Sequence, residues 1–332
     1  MKTEIFGTFG PACASEETMR EMIKAGMTGM RLNLSHSTLS ASENYIEAYR
    51  NVAKELEVEP QILIDMQGPE LRIGTLEGSM DLAIGERIVF GDRTIPIPKG
   101  LMDVMQVGDE VLLDDGKILA EVIGEDRTLF PGEKCIAAQV RRAGILQSHK
   151  SIKIIGKNIE MPALTEHDLA NIKQARDYGV TALMQPFVLN GEDLRYVRSV
   201  LKMHGAENIK IFAKIENRLG VGNLENILPE ADVIVIARGD LGNDMPLWEL
   251  PRVQKEIEQA CHKAGKPYIV VTQMLASMEN NPVPTRAEVS DIFHAVFHGA
   301  YGIMVTGETA VGKYPVAAIQ YLANTAKEAE NF

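Results

Sequence analysis

Cysteine is scarce in this 332-residue sequence: Cys13, Cys135 and Cys261 stand far apart, with no Cys-x-x-Cys pair. That excludes a disulfide framework and a cysteine-rich zinc cluster, and it points to a reducing, cytoplasmic setting. Basic residues are outnumbered, 34 Lys and Arg against 46 Asp and Glu, for a formal net charge of −12. No basic run or basic-aromatic alternation offsets the deficit, so nucleic acid is not an expected partner, and an anionic substrate would need a locally cationic pocket. No apolar run reaches membrane-spanning length and the first residues lead straight into a strand pattern, so neither a membrane segment nor an export signal is expected. Aromatics make up only 5%, whereas 16 methionines, many at helical spacing, read most simply as core residues. What is present, 45% hydrophobic and 24% charged residues, suffices for one large core and a smaller one.

The large core is foreshadowed by strict alternation of short apolar strands and amphipathic helices. Strands are expected at 4–9, 29–34 and 61–65, with helices opening at Ser15 and Glu17 and running over 40–55. From 72 to 157 helical periodicity vanishes, and short alternating runs appear between glycines and prolines, including a hairpin about Asp114-Asp115-Gly116. The alternating frame resumes at Pro162. A helix from Thr165 and Glu166 to about 178 is followed by strand and helix pairs at 182–184 and 191–203, 209–215 and 221–228, and 233–236 and 247–264. Pairs at 268–272 and 285–298, and at 302–305 and 315–329, complete the frame. Eight units over roughly 250 residues imply a closed (β/α)₈ barrel, formed by 1–71 and 158–332, with an inserted all-β lid domain at 72–157.

The stretch 209–240 organises the site. Its two apolar strands end in Lys214 and Glu216 and in Asp240, and adjacent parallel strands would bring a lysine and two carboxylates to one end of the sheet. Singly, each is equally explained as a strand-end ion pair; three together, beside glycines, suggest a divalent metal and a phosphate.

Collinear motifs extend this reading over the chain. Thr8-Phe9-Gly10-Pro11-Ala12, Arg31-Leu32-Asn33-Leu34-Ser35-His36 and Asp65-Met66-Gln67-Gly68-Pro69-Glu70-Leu71-Arg72 come first, then Leu112-Leu113-Asp114-Asp115-Gly116. Lys214-Ile215-Glu216-Asn217, Ala237-Arg238-Gly239-Asp240-Leu241-Gly242, Thr272-Gln273-Met274-Leu275, Pro284-Thr285-Arg286-Ala287-Glu288 and Thr306-Gly307-Glu308-Thr309-Ala310 follow. In order and spacing the set resembles the pyruvate kinase family, whose barrel carries an inserted β-domain acting as a lid. The resemblance implies phosphoryl transfer between phosphoenolpyruvate and ADP, giving pyruvate and ATP. It implies Mg²⁺ (or Mn²⁺) on Glu216 and Asp240, and Lys214 stabilising the moving phosphoryl group and the developing enolate. Arg31 and Arg72 would grip phosphate oxygens. The Gly239 and Asp240 amides and the Thr272 hydroxyl would hold the substrate carboxylate, and hydroxyls near Thr272 and Thr306 would lie beside the enolate that is protonated. Asn33, Ser35, Asp65 and the Met66 carbonyl match the family's K⁺ site, and His36, with Arg72, falls on the nucleotide side.

Departures from the family pattern keep alternatives open. The family's C-terminal regulatory domain has no counterpart after Phe332, so control by that route is not expected; a homodimer through the barrel remains compatible with the sequence. The run Ser37-Thr38-Leu39-Ser40-Ala41-Ser42-Glu43 lacks the usual His and Tyr that help line the nucleotide pocket. The lid return Ser148-His149-Lys150-Ser151 loses the usual Gly, Asn and Pro, and Pro186-Phe187-Val188-Leu189 replaces a Ser-Phe-Val-Arg pattern. A metal-dependent enolate former acting on pyruvate or a related keto acid, and a non-catalytic phosphoenolpyruvate-binding regulator, are therefore the competing readings.

Overall fold

A computed structural model describes residues 2–35, 37–130, 132–157 and 161–332. Eight parallel strands close into a barrel: β1 (Glu4–Thr8), β2 (Gly29–Asn33), β3 (Gln61–Asp65), β4 (Ala182–Gln185), β5 (Lys210–Ile215), β6 (Val233–Ala237), β7 (Tyr268–Val271) and β8 (Gly302–Met304). Each pairs with its sequence neighbour among these eight, and β1 pairs with β8, Phe6 opposite Met304, to close the ring. The connecting helices start where side chains can satisfy their free N–H groups. Ser15 caps Glu16–Lys24, while Thr165, Asn190 and Thr285 form reciprocal capping boxes with Asp168, Asp193 and Glu288.

Because side chains alternate across a strand, one parity faces the barrel interior. Phe6, Leu63, Met184, Phe212, Val235, Ile269 and Met304 belong to the buried cluster that fills it. Room for the Phe6 ring comes from glycine on both neighbouring strands. A Cβ at Gly29 would lie 2.8 Å from the ring, and one at Gly302 2.9 Å. Carried two or four residues further along each strand, the same parity reaches Thr8, Arg31, Asn33, Asp65, Lys214, Glu216 and Thr306. Apolar filling below thus gives way to charge at the strands' C-terminal ends.

The chain divides into two compact units, one of Met1–Pro69, Pro162–Gly242 and Leu247–Phe332, the other of Glu70–Met161 and Asn243–Pro246. The second unit has a core of its own, including Ile88, Phe90, Leu113, Val140 and Ile152. Its five-stranded antiparallel sheet runs, in spatial order, Ile152–Ile154, Glu110–Leu113, Ile118–Asp126, Cys135–Arg142 and Arg87–Phe90; Met80–Leu82 pairs separately with Gly144–Leu146. The hairpin turns on Asp115 and Gly116, both at positive φ (54° and 81°), and Lys117 N–H closes it onto the Asp114 carbonyl at 3.0 Å. A short helix, Lys99–Val104, also belongs to this unit, although no helical pattern in the sequence marks it. All three cysteines are free and buried, and burial pushes the Cys13 and Cys261 thiols up to about 11 and about 12. Among the described residues no helix is long and apolar enough to cross a membrane.

Candidate active site

The C-terminal ends of β2, β3 and β5 meet in a buried ionic array. Arg31, inward on β2, donates to Asp65 Oδ2 through Nε (2.8 Å) and lies 2.7 Å from it through Nη2. Lys214, inward on β5, reaches Asp65 Oδ1 at 3.1 Å and Glu216 Oε1 at 2.9 Å. Phe187 N–H, after β4, donates to Glu216 Oε2 at 2.8 Å. Asp65 is 3% exposed and Glu216 is fully buried.

Burial alone would push the Asp65 carboxyl up, but the adjacent Lys214 and Arg31 outweigh it and hold the group below the usual carboxylate range. Burial likewise disfavours the Lys214 ammonium, yet Asp65 and Glu216 keep it well above the ordinary lysine range. Glu216 goes the other way: burial raises it to about 7, with Lys214 only partly offsetting. Its Oε1 contacts the ammonium but accepts no well-directed hydrogen bond. The four side chains carry two formal positive and two formal negative charges, so a multiply charged phosphate could join them only with added cations. Glu216, buried and poorly satisfied, is where a hard divalent ion fits. Among the described residues no group of three or more His, Cys, Asp or Glu side chains is arranged to hold a metal, so such an ion would depend on two carboxylates and on ligand or water oxygens.

A second corner lies past β6 and β7. Gly239 and Asp240 fall in the short helix Arg238–Asn243, and Thr272 follows β7. Gly239 N–H donates to Thr272 Oγ1 at 2.8 Å, and that hydroxyl donates to the Val271 carbonyl at 2.6 Å. Asp240 contributes to the field around both Lys214 and Glu216, tying this corner to the array. Thr306, past β8, donates its N–H to Glu308 Oε2 at 2.7 Å.

The remaining expected residues are less concentrated. Asn33 Oδ1 accepts the Ser35 N–H at 3.1 Å, and Met66 is buried directly after β3. Arg72 belongs to the second unit, where it pairs with Glu70 Oε2 (2.5 Å) and donates to the His149 carbonyl (2.8 Å). His36 lies outside the described residues. Three contributions escape a motif-by-motif reading. Asp65, expected only as a cation ligand, joins Arg31 to Lys214. Fully buried Asp168 accepts from Gln67 N–H (2.8 Å), Gly68 N–H (3.0 Å) and Thr165 N–H (2.9 Å), setting the chain after β3. Buried Glu308 joins Thr306 to Leu275 N–H, which donates to Oε1 at 3.1 Å. The Thr165-x-x-Asp168 capping signature is visible in the sequence, but its reach to residues 67 and 68 is not.

Comparison with known proteins accords with this geometry. Residues 1–319 match the family model described as the pyruvate kinase barrel domain. The chain is 39% identical over 340 aligned residues to a pyruvate kinase of Bacillus licheniformis, an alignment covering 99% of this chain and 57% of that protein. Against the pyruvate kinase of Thermococcus litoralis identity is 40%, covering 100% of this chain and 70% of the relative; for that of Clostridium acetobutylicum the figures are 38%, 99% and 71%. The chain thus spans little more than half the length of the Bacillus relative.

Proposed function

The chain belongs to the pyruvate kinase family, and we propose that it transfers a phosphoryl group between phosphoenolpyruvate and ADP, giving pyruvate and ATP. The observation that carries the proposal is the charge-balanced array of Arg31, Asp65, Lys214 and Glu216, with its poorly satisfied Glu216 oxygen. In this reading Arg31 and Lys214 turn from Asp65 toward the phosphoryl group, Lys214 also facing the enolate oxygen as charge develops there. Gly239 and Asp240 amides and the Thr272 hydroxyl hold the carboxylate, so the substrate is fixed at both ends before reaction. Hydroxyls at Thr272 and Thr306 flank the carbon that takes up a proton. Glu216 and Asp240 would hold Mg²⁺ or Mn²⁺, which supplies positive charge to the oxygens of the transferred group. Asn33, Ser35, Asp65 and the Met66 carbonyl, all oxygen donors, would hold K⁺. Arg72 and His36 are assigned to the nucleotide side, with the inserted unit serving as a lid. The setting is cytoplasmic, and a homodimer through the barrel is compatible with the fold.

The direct test measures pyruvate formation from phosphoenolpyruvate, ADP, Mg²⁺ and K⁺. Lys214→Met and Glu216→Gln are each expected to lower kcat by about 10²- to 10³-fold. Wild-type turnover no greater than theirs would sink the proposal.

The run 37–43, which lacks the family's pocket-lining His and Tyr, motivates a second reading, a metal-dependent enolate former acting on pyruvate or a related keto acid. Leu39, in that run, is fully buried, and its N–H is tied to Asn171 Oδ1 at 2.9 Å. Metal-dependent exchange of pyruvate methyl protons, with no nucleotide binding by calorimetry, would select that reading.

A further inference from the structure

Thr272 and Gln273, directly after β7, both hold left-handed backbone, with φ of 70° and 53°. A β-branched residue is rare in that region, and two successive non-glycine residues persist there only if their surroundings enforce it. The enforcing contact is Arg238. Its guanidinium donates twice to the Thr272 carbonyl, through Nη2 at 2.8 Å and Nε at 3.3 Å. The same group is fixed from behind, Nη1 donating to Asp291 Oδ2 at 2.6 Å and Nη2 lying 2.9 Å from Met274 Sδ. The Arg238 side chain is only 10% exposed, whereas Asp291, on the helix Arg286–Phe297, is 36% exposed. A planar fork with several donors can hold one carbonyl and one carboxylate at once; a lysine cannot reproduce both directions.

We infer that Arg238, oriented by Asp291, is a positioning residue that sets the Thr272 hydroxyl against the Gly239 amide and so shapes the carboxylate-binding corner. The inference rests on the proposed function, in which that corner receives the carboxylate of phosphoenolpyruvate. Arg238 itself touches no reacting atom. It acts through the Thr272 peptide: released, the strained backbone relaxes and carries the hydroxyl away from Gly239. Gly239 N–H donates to the Thr272 hydroxyl oxygen, and that hydroxyl in turn donates to the Val271 carbonyl, so the two donors a carboxylate would meet are held side by side.

The test compares Arg238→Met, Arg238→Lys and Asp291→Asn by steady-state kinetics and crystallography. Arg238→Met is expected to raise KM for phosphoenolpyruvate by about tenfold or more, with KM for ADP within twofold and kcat moving less than the first KM. Arg238→Lys should recover part of that loss. Asp291→Asn, at a half-exposed position where folding is not at stake, should shift the same KM in the same direction by about threefold, and it decides the matter if Arg238→Met does not fold. In crystals of Arg238→Met, Thr272 should leave positive φ. A uniform fall in all kinetic parameters with a lowered melting temperature, or Thr272 and Gln273 still left-handed with an unchanged KM, would overturn the inference. A wild-type protein with no turnover would instead overturn the functional reading, and the backbone at Thr272 would then decide this inference alone.

Discussion

Gly239 has room for a side chain that the fold does not use. A Cβ there would lie 3.6 Å from Thr272 Oγ1, an ordinary contact, and no positive φ demands glycine. Gly239→Ala should therefore fold with a melting temperature close to wild type, while the added methyl obstructs an approaching carboxylate. The expected result is KM for phosphoenolpyruvate raised about ten- to a hundredfold, since small misplacements in a site are costly; an unchanged KM would remove the carboxylate from this corner. Glu216 gives a pH dependence of definite sign. Its carboxyl, raised by burial to about 7, is protonated below that pH, and a divalent cation needs it ionised. Mn²⁺ affinity measured by calorimetry without substrate should fall by up to about tenfold per pH unit below 7 and level off above it. Affinity flat between pH 6 and pH 8 would show Glu216 already ionised across that range, and an affinity unchanged in Glu216→Gln would exclude it as a ligand.

Strand ends are more legible in the sequence than the short helices and turns beyond them. The eight barrel strands can be found because each is a short apolar run between polar punctuation, and Lys214, Glu216 and Asp240 because charge at such ends is conspicuous. The helices Arg238–Asn243 and Gly307–Ala310 span too few residues to display a period, and the expected helix at 221–228 is instead two pieces, Arg218–Gly222 and Leu224–Ile227. Pairings such as Lys214 with Asp65, 149 residues apart, leave no local trace, because only the assembly of β3 and β5 on either side of β4 makes them neighbours. Some local devices, however, do reach beyond their own element. Glu288 completes the cap of Arg286–Phe297 and also accepts from Ser277 N–H (2.8 Å) and Oγ (2.6 Å). Burial would raise its carboxyl, but the bonds from Ser277 and Thr285 win and hold it below its usual value. A carboxyl depressed in the folded state stabilises above its unfolded pKa and loses that contribution as pH falls through the folded one. Glu288→Gln should thus lower stability by about 1 kcal/mol near neutrality. The difference in melting temperature from wild type should shrink as pH drops below 4; a constant difference would show that charge is not the cause.

At the scale of the whole molecule, the two units carry separate hydrophobic cores, so unfolding need not be a single event. Leu113→Ala empties a fully buried position in the second unit and should cost about 2–5 kcal/mol there. Leu63→Ala should do the same within the barrel. Calorimetry is expected to show Leu113→Ala moving one transition and Leu63→Ala another, with the calorimetric enthalpy exceeding the van't Hoff value. One transition moved equally by both would mean that the cores melt together.

The inward parity of the barrel strands also works as a reading frame. Phe212, Lys214 and Glu216 share one face only because a single residue separates each from the next. A single-residue insertion or deletion between Phe212 and Lys214 would send both charged groups to the helix side of β5, and the apolar run could still re-pair with β4 and β6. The barrel would then survive as a fold while its chemistry was lost. Length changes should accordingly be tolerated after Glu216, and homologous enzymes that differ in their loops should keep this interval fixed.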